Sequence, residues 1–322
     1  MTVAVIEGIG AYLPKRVVTN ADLEKTLDTS DEWIRTRTGI TQRHIAAEDE
    51  LTSDLAANAA QEALADAGVA AAEVDLIIVA TSTPDETVPA TAVRVQHKIG
   101  ASNAAAFDIN AACSGFVYAL SVANSMIVSG AASNALVIGA EIFTRIVDWE
   151  DRGTCVLFGD GAGAALVQAK DKNDSSSRGI HYIKLASDGG LADILKTTGG
   201  VSKTKSAGVL TMEGKEVFRH GVSKMAECVD EGLKAVGWQA SELDYLIPHQ
   251  ANMRILQKVA SKLGLKDEQV VTTVNIHANT SAASIPLALY EVKREKRLIK
   301  QKKLALTALG AGLTWGSCII SW

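Results

Sequence analysis

Three side chains of catalytic type stand where an apolar, strand-like run gives way to a helical pattern. Cys113 follows the run at 104–109, His249 follows Leu246-Ile-Pro, and Asn279 follows a shorter run and precedes Thr-Ser. A cysteine at the start of a helix lies at the positive end of the helix dipole, which favours the nucleophilic thiolate. We therefore expect Cys113 to be a nucleophile, with His249 and Asn279 as its polar partners.

Each of the three residues also has a purely structural interpretation. A free cysteine is often buried as a small hydrophobe, and an asparagine before Thr-Ser is a common helix cap. A lone histidine at the end of a strand is more often a satisfied core or surface residue. Because three such corners occur together, and two of them are related by an internal repeat, we favour the catalytic interpretation.

The chain contains an internal duplication that would place these corners opposite each other. Residues 73–81 resemble residues 242–250, which lie 169 positions later, and residues 109–114 resemble 276–281, which lie 167 positions later. The Gly-rich segment 158–163 likewise resembles 309–314. Two related units, 1–172 and 173–322, are therefore expected to face each other across a shared crevice.

Within each unit, short apolar strands alternate with helices, which predicts an α/β fold with parallel strands buried on both faces. A helix is expected at 53–67, capped by Thr52 or Ser53 and ended by Gly68. Apolar strands are expected at 76–80 and 245–247. The charged, Ser-rich segment 170–178 is of linker type and falls near the junction of the halves.

Composition excludes several classes of protein. The 322 residues carry a net charge of −5, which argues against a nucleic-acid partner. Four widely spaced cysteines form neither a zinc motif nor a disulfide framework. The first residues lack the basic flank of a secretory leader, and no apolar run reaches the length of a membrane span. A cytoplasmic protein is expected.

The sequence resembles the β-ketoacyl-acyl-carrier-protein synthase III family of condensing enzymes, within the thiolase superfamily, over nearly its whole length. The motifs that carry the resemblance are 31–40 (DEWIRTRTGI), 151–154 (DRGT), 158–163 (FGDGAG), 248–252 (PHQAN) and 277–282 (HANTSA). The resemblance implies a duplicated thiolase-like fold of five layers (α-β-α-β-α) with pseudo-twofold halves. It also implies a Cys113-His249-Asn279 triad, a homodimer, and no metal or other cofactor.

The implied reaction starts type II fatty-acid synthesis. Cys113 would accept a short acyl group from acyl-CoA, and malonyl-acyl carrier protein would then lose carbon dioxide and attack it, giving a 3-oxoacyl-acyl carrier protein. His249 Nε2 and the Asn279 amide would donate hydrogen bonds to the malonyl thioester oxygen. Backbone N–H groups of Cys113 and of the turn around Ala311 would form the oxyanion hole.

The resemblance also assigns substrate contacts. Trp33 and Arg152 match positions that sandwich the CoA adenine, Arg37 matches a phosphate contact, and Asn252 matches a pantetheine contact. A planar guanidinium opposite an indole is well suited to stacking a flat base. The residues expected to bind the acidic carrier protein are Arg219, Gln250, Arg254 and Lys262. The basic stretch 293–303 is a second candidate patch.

Four positions around the expected acyl pocket depart from the family pattern. Leu309 replaces a common Phe, Ala311 replaces a Gly, and Phe143 replaces a usual Leu. Val88 stands where acetyl-specific members often carry a Phe that the partner subunit inserts into the pocket. Val88 would lengthen the pocket and Phe143 would fill the same space, so we expect a short primer, from acetyl to about butyryl.

Other activities are compatible with parts of the pattern. A specialised acyltransferase of secondary metabolism would use the same triad. A cysteine hydrolase would release the acyl group to water, and an inactive scaffold would be expected to lack a triad residue. A degradative thiolase needs a second cysteine in the Gly-rich turn, whereas Cys318 lies beyond that turn in a strand-like run.

Overall fold

A computed structural model of the chain describes residues 1–173 and 178–322. Its strands are β1 (Thr2–Tyr12), β2 (Arg16–Thr19), β3 (Gln42–Ile45), β4 (Leu76–Ala80), β5 (Ala105–Ile109), β6 (Asn134–Glu141), β7 (Gly161–Asp171), β8 (Gly179–Ser187), β9 (Leu195–Thr197), β10 (Leu210–Met212), β11 (Tyr245–Pro248), β12 (Lys303–Gly310) and β13 (Thr314–Ser321). Its α-helices are α1 (Asn20–Leu23), α2 (Asp31–Thr38), α3 (Thr52–Ala67), α4 (Thr91–Ile99), α5 (Gly115–Val128), α6 (Val201–Thr204), α7 (Gly214–Val236), α8 (Met253–Leu263), α9 (Val274–His277) and α10 (Ser284–Arg294).

Two mixed β-sheets form the centre of the fold. The five-stranded sheet has the order β1-β7-β6-β4-β5, and the four-stranded sheet has the order β8-β13-β12-β11. In the first sheet the parallel pairs are β4 with β5 and β4 with β6, and in the second sheet the parallel pair is β11 with β12. The expectation of parallel strands was therefore wrong for the rest, because β7 and β13 each return along two antiparallel neighbours.

The two sheets and the helices between and around them make five layers, which confirms the predicted fold class. Helices α3 and α4 cover the outer face of the first sheet, α5 and α10 lie between the sheets, and α7 and α8 cover the second sheet. The central apolar cluster joins both halves, for example Phe116 and Leu120 with Leu289 and Leu306. No helix in the described ranges is long and apolar enough to cross a membrane.

The duplication is regular in three dimensions. Short 3₁₀ turns at 112–114 and 281–283, which precede α5 and α10, are 169 positions apart, as are the starts of β6 and β12. The offset of 167 predicted for this turn was wrong by two residues. The correct offset pairs Ala112 with Ser281, both with positive φ (46° and 49°). It also pairs Asn110 with Asn279, and each asparagine Oδ1 accepts a backbone N–H two residues later.

The predicted boundary between the halves, 172/173, falls between the end of β7 at Asp171 and the start of β8 at Gly179. Residues 174–177 of the proposed linker lie outside the described residues. The basic stretch 293–303 runs from the last turn of α10 to the first residue of β12, and several of its side chains are already paired. Lys293 contacts Asp66, Lys302 contacts Asp244, and Lys303 contacts Glu242.

The helix predicted from residue 53 begins one residue earlier. Its N-cap is Leu51, whose N–H donates to the Asp54 carboxylate at 2.9 Å. The expected caps lie inside the first turn, because the Thr52 hydroxyl donates to the carbonyl of Thr83 and the Ser53 N–H donates to Asp85. The predicted stop at Gly68 is confirmed by its left-handed φ of 67°.

Candidate active site

Cys113, His249 and Asn279 line one cavity of about 650 Å³. Cys113 lies in the turn before α5, His249 directly follows β11, and Asn279 precedes the turn before α10. The two central helices begin at the same end of the sandwich, so the three corners meet between the sheets. All three side chains are largely buried, with Cys113 only 7% exposed. The structure therefore brings together the three residues that the sequence singled out.

The turn that carries Cys113 is fixed by a neighbouring strand. The hydroxyl groups of Ser114 and Thr314 both donate to the carbonyl of Ala111, at 2.7 and 2.9 Å. Ala112 adopts a left-handed φ of 46°, and α5 begins two residues after Cys113, at Gly115. The thiol thus sits at the N-terminal end of a 14-residue helix, where the dipole favours negative charge.

Cys113 is nevertheless a neutral thiol in the resting site. Burial raises its pKa to about 12, a nearby Ser281 hydroxyl lowers it, and the carboxylate of Glu141 raises it. Burial therefore opposes the resting thiolate expected from the sequence, because the sequence reveals the start of the helix but not the burial of the sulfur. Removal of the proton must accompany the binding of a substrate that stabilises the developing charge.

A second turn packs directly on the backbone of Cys113. A Cβ atom added to Gly310 would lie 2.7 Å from the Cys113 nitrogen and 2.8 Å from the Ala111 carbonyl, so only glycine fits there. Ala311 follows and lines the cavity. The positive φ expected somewhere in this turn falls on Gly312 (130°), so alanine is tolerated at 311.

His249 is neutral and carries its proton on Nε2. Its Nδ1 lies 2.7 Å from Ser284 Oγ, and the same oxygen accepts the N–H of Gln250 at 3.3 Å. With the Ser284 hydroxyl assigned as the donor, Nδ1 is the acceptor and the ring proton lies on Nε2. Burial lowers the pKa of His249 to about 3, so the ring stays uncharged at neutral pH. The Nε2–H remains as a hydrogen-bond donor for a group in the cavity.

Asn279 is held on both its backbone and its side chain. Its N–H donates to the carbonyl of Leu157 at 2.9 Å, and its own carbonyl accepts the N–H of Gly159. Its Oδ1 accepts the N–H of Ser281 at 2.9 Å. The side-chain oxygen is thereby committed to the protein, and the Nδ2 donors remain. Two uncharged donors, from His249 and Asn279, are thus available to polarise a carbonyl oxygen.

The far end of the cavity carries an indole and guanidinium groups. The guanidinium carbons of Arg37 and Arg152 lie 4.7 and 5.3 Å from the centre of the Trp33 ring. Trp33 and Arg37 line the cavity, whereas Arg152 bonds the carbonyl of Asp28 beside it. A base stacked between Trp33 and Arg152 requires the guanidinium and the indole ring to be two stacking distances apart, about 7–8 Å. Because they are 5.3 Å apart here, Arg152 must move outward to admit a base.

Asn252 has a structural role that the sequence did not reveal. It is the N-cap of α8, and its Oδ1 accepts the N–H of Ile255 at 3.0 Å. Asn252 also lines the cavity, together with Arg254. The side-chain amide nitrogen is therefore the group left to contact a bound molecule.

Two aromatic rings form an apolar wall of the cavity. Phe143 stacks on Phe158 with ring centroids 4.9 Å apart, and Leu309 lines the same cavity. Sequence reasoning missed Phe158 as a pocket residue, although it begins the FGDGAG motif. Val88 does not reach the cavity of its own chain, because it lies in the segment after β4 and is 82% exposed.

Gln250 cannot contact a carrier protein, so that expectation was wrong. The side chain is fully buried. Its amide nitrogen donates to two backbone carbonyls and its oxygen accepts two backbone N–H groups, from Pro248, Val271, Thr273 and Val274. Gln250 therefore joins the loop after β11 to the segment before α9. The PHQAN motif therefore contributes His249 and Asn252 to the cavity and Gln250 to the framework that holds them.

The three other residues of the expected carrier-protein patch lie on α7 and α8. Arg254 borders the cavity and stacks its guanidinium over Phe218 at 5.9 Å. Arg219 is exposed and paired with Glu216, and Lys262 donates to Ser223 Oγ at 3.2 Å. The exposed positive charge thus lies along the side of the cavity that α7 and α8 form.

The second cysteine that a degradative thiolase would need is missing from the described cavity lining. Cys318 is fully buried in the middle of β13, and burial raises its pKa. Cys113 is the one cysteine among the described residues that line the cavity. The geometry therefore supports single-cysteine chemistry.

Comparison with known proteins identifies close relatives of this arrangement. Two family models match, those for 3-oxoacyl-[acyl-carrier-protein] synthase III at residues 107–189 and for its C-terminal part at residues 233–322. The chain is 54% identical over 319 residues to the β-ketoacyl-[acyl-carrier-protein] synthase III of Rhodospirillum centenum, covering 99% of each protein. It is 53% identical over 321 residues to that of Ruegeria pomeroyi, again covering 99% of each.

Solved structures share the whole fold. The 3-oxoacyl-[acyl-carrier-protein] synthase III of Aquifex aeolicus superposes with a TM-score of 0.94 at 46% identity, covering 99% of this chain and 100% of that one. The priming β-ketosynthase of the R1128 polyketide pathway superposes with a TM-score of 0.93 at 35% identity, covering 99% and 96%. The similarity therefore extends over both halves of the chain.

Proposed function

Because this chain belongs to the 3-oxoacyl-[acyl-carrier-protein] synthase III family, we propose that its cavity joins a short acyl group from acyl-CoA to malonyl-acyl carrier protein. The chain is an acyltransferase, the condensing enzyme that initiates type II fatty-acid synthesis. The observation that carries the proposed mechanism is the shared cavity, in which a cysteine, a neutral histidine and an oriented asparagine meet.

In the first step, Cys113 loses its proton and its sulfur attacks the thioester carbonyl carbon of acyl-CoA. The new carbon–sulfur bond places a negative charge on the carbonyl oxygen, which the N–H groups of Cys113 and Ala311 stabilise. The intermediate collapses, the CoA sulfur leaves and takes up the proton that Cys113 gave up, so that CoA departs as the free thiol, and the acyl group remains on Cys113. The close packing of Gly310 on the Cys113 backbone holds these two turns together.

In the second step, the thioester oxygen of malonyl-acyl carrier protein accepts hydrogen bonds from His249 Nε2 and Asn279 Nδ2. Its carbon–carboxylate bond breaks, carbon dioxide leaves, and the electron pair forms an enolate. The enolate carbon attacks the acyl group on Cys113, and the cysteine thiolate is released and takes up a proton. Each donor to such an oxygen lowers the barrier by roughly 2.7–4 kcal/mol.

Substrate selection follows from the other cavity residues. Trp33, Arg37 and Arg152 are proposed to hold the adenine and phosphates of CoA, and Asn252 its pantetheine arm. The stacked rings of Phe143 and Phe158 narrow the cavity on its apolar side, which supports a short acyl primer.

The carrier protein and the oligomeric state extend the proposal beyond the cavity. Arg219, Arg254 and Lys262, on α7 and α8, are proposed to bind the acidic carrier protein. A homodimer is proposed as well, since the apolar side chain of Val88 is 82% exposed in the isolated chain and a partner subunit would bury it. The cytoplasmic location also stays a proposal. Light scattering coupled to gel filtration measures the oligomer directly.

A role in secondary metabolism is the second candidate, since the R1128 priming β-ketosynthase has nearly the same fold. The fatty-acid function is favoured, because the relatives that share more than half of the residues over the full length carry that name.

One experiment tests the mechanism. The enzyme is incubated with radiolabelled acetyl-CoA, the labelled residue is identified, and malonyl-acyl carrier protein is then added. We expect label on Cys113, and we expect His249→Ala and Asn279→Ala to spare labelling far more than condensation. Equal loss of both steps would contradict the division of roles. Release of free acetate before malonyl-acyl carrier protein is added would indicate a hydrolase, and absence of label would indicate an inactive scaffold.

A further inference from the structure

Glu141 is a buried carboxylate for which the mechanism above has no use. It is the last residue of β6 and is fully inaccessible to solvent. Among residues 1–173 and 178–322, none of the ion pairs includes it. A charge buried without a counter-ion is costly unless several hydrogen bonds satisfy it, so its position calls for a specific reason.

Four hydrogen-bond donors converge on this carboxylate. Oε2 accepts the N–H of Ser82 at 3.0 Å and the hydroxyls of Thr83 at 2.7 Å and Thr81 at 3.3 Å. Oε1 accepts the hydroxyl of Ser281 at 3.0 Å. Glu141 therefore joins the segment after β4, in the first half, to the turn before α10, in the second half.

The direction of these bonds is fixed by the backbone around them. The Thr81 hydroxyl oxygen accepts the N–H of Thr83 at 3.1 Å, and the Thr83 hydroxyl oxygen accepts the N–H of Ile142 at 2.9 Å. Each hydroxyl proton is thus left to point at Glu141. The arrangement suits an ionised carboxylate, which only accepts, and it disfavours a group that carries its own donor.

Ser281 connects this carboxylate to the reacting groups. Its N–H donates to Asn279 Oδ1 while its hydroxyl donates to Glu141, so one residue fixes both. Gly139, on the same face of β6, allows the approach, because a Cβ there would lie 2.2 Å from the carbonyl of Ala282. Strand β6 thus contributes Gly139, which leaves space for the turn before α10, and Glu141, which hydrogen-bonds Ser281 in that turn.

We propose that Glu141 is a positioning residue for condensation, whose carboxylate orients Ser281 and, through it, the side-chain amide of Asn279. The inference rests on the proposed function, in which Asn279 serves the malonyl step and not the acylation of Cys113. The turn of Cys113 has separate supports in Ser114 and Thr314. Loss of the carboxylate therefore slows condensation, whereas it removes a charge that raises the pKa of Cys113 and so does not hinder acylation.

The protonation of Glu141 gives the proposal a second readout. Burial raises its pKa to about 7, and hydrogen bonds from Thr83, Ser82, Ser281 and Thr81 oppose the rise. These neighbours are neutral, and the Cys113 thiol on the remaining side is neutral as well. Protonation removes an acceptor from the network, so the condensation rate falls as the pH drops through about 7. The pKa of His249, about 3, is too low to explain that fall.

The test compares Glu141→Gln with Glu141→Asp. The glutamine keeps the size but places an amide donor against donor hydroxyls, whereas the aspartate keeps the acceptor. We expect Glu141→Gln to slow condensation at least about 10-fold, as partial loss of an oxyanion donor does, and acylation of Cys113 less than about 3-fold. Glu141→Asp should recover part of the loss, and Glu141→Gln should no longer show the fall near pH 7.

Two further variants keep the test decisive. Ser281→Ala removes the same link and keeps the carboxylate, and alanine already adopts a positive φ at positions 112 and 278, so the turn should tolerate it. If Glu141→Gln does not fold, Ser281→Ala should still slow condensation more than acylation, and acylation should fall somewhat as well because the Ser281 hydroxyl lowers the pKa of Cys113. Asp160→Asn is the matched control, a fully buried carboxylate that bonds Thr144 and Ala46 outside the cavity lining. Asp160→Asn should lower thermal stability and leave the ratio of the condensation rate to the acylation rate within about twofold of the wild-type ratio.

The outcomes separate this inference from the proposed function. Equal loss of acylation and condensation in folded Glu141→Gln, unchanged condensation, or persistence of the fall near pH 7 would each overturn the positioning role. A wild-type enzyme that does not condense at all would overturn the proposed function instead.

Discussion

Ser284→Ala offers a sharp test of the histidine's role. In the wild-type enzyme the Ser284 hydroxyl donates to His249 Nδ1 at 2.7 Å and accepts the N–H of Gln250 at 3.3 Å. The substitution leaves Nδ1 buried without its donor. The ring can then place its proton on Nδ1, which removes the Nε2–H that donates to the malonyl thioester in the proposed mechanism.

The size of the effect follows from that single bond. Leaving a buried polar group without its partner costs roughly 1–3 kcal/mol, which corresponds to a factor of about 5 to 150. We therefore expect the condensation rate to fall by about that factor. Acylation of Cys113 should change less than about threefold, because His249 takes no proton in that step and stays neutral, with a pKa of about 3.

Rapid-quench measurement of labelled acyl-Cys113 formation, and then of its consumption by malonyl-acyl carrier protein, separates the two rates. Ser53→Ala is the matched control, because the buried Ser53 hydroxyl has no partner among the described residues and lies in the first turn of α3. Unchanged condensation in Ser284→Ala, or an equal fall in both rates, would refute the tautomer argument.

Three other outcomes are expected. The pKa of His249 is lower in the folded than in the unfolded chain, so the contribution of this residue to stability is present above about pH 6.5 and is lost as the pH falls. Urea unfolding should therefore give a free energy of unfolding about 2 kcal/mol lower at pH 5 than at pH 7.5 because of this residue. The His249→Gln variant should not show that loss. Arg152→Ala should raise the KM for acyl-CoA roughly 5- to 30-fold with little change in kcat, since it removes stacking opposite Trp33; a fall in kcat alone would contradict this. Phe143→Ala should shift the preference from acetyl- towards hexanoyl-CoA, because it removes one ring of the stack with Phe158, and an unchanged chain-length profile would show that the wall lies elsewhere.

Local patterns in the sequence predicted the elements and the reacting groups. An apolar run followed by helical spacing identified the corners of Cys113, His249 and Asn279, and the repeat predicted that they would face each other. Gly68 predicted the end of α3, since a left-handed residue is best supplied by glycine. The elements and their ends depend on neighbours a few residues away, and the repeat is found by comparing two segments of the same chain, so a single sequence reveals both.

Contacts between distant segments decided the rest. The raised pKa of Cys113 and the lowered pKa of His249 both come from burial, and the orientation of the His249 ring comes from Ser284, 35 residues away. Gln250 follows His249 in the sequence and was expected at the surface, yet backbone groups from another segment enclose it. The link from Glu141 to Ser281 spans 140 residues. Protonation and side-chain orientation depend on which groups fold against each other, and residue spacing along the chain does not contain that information.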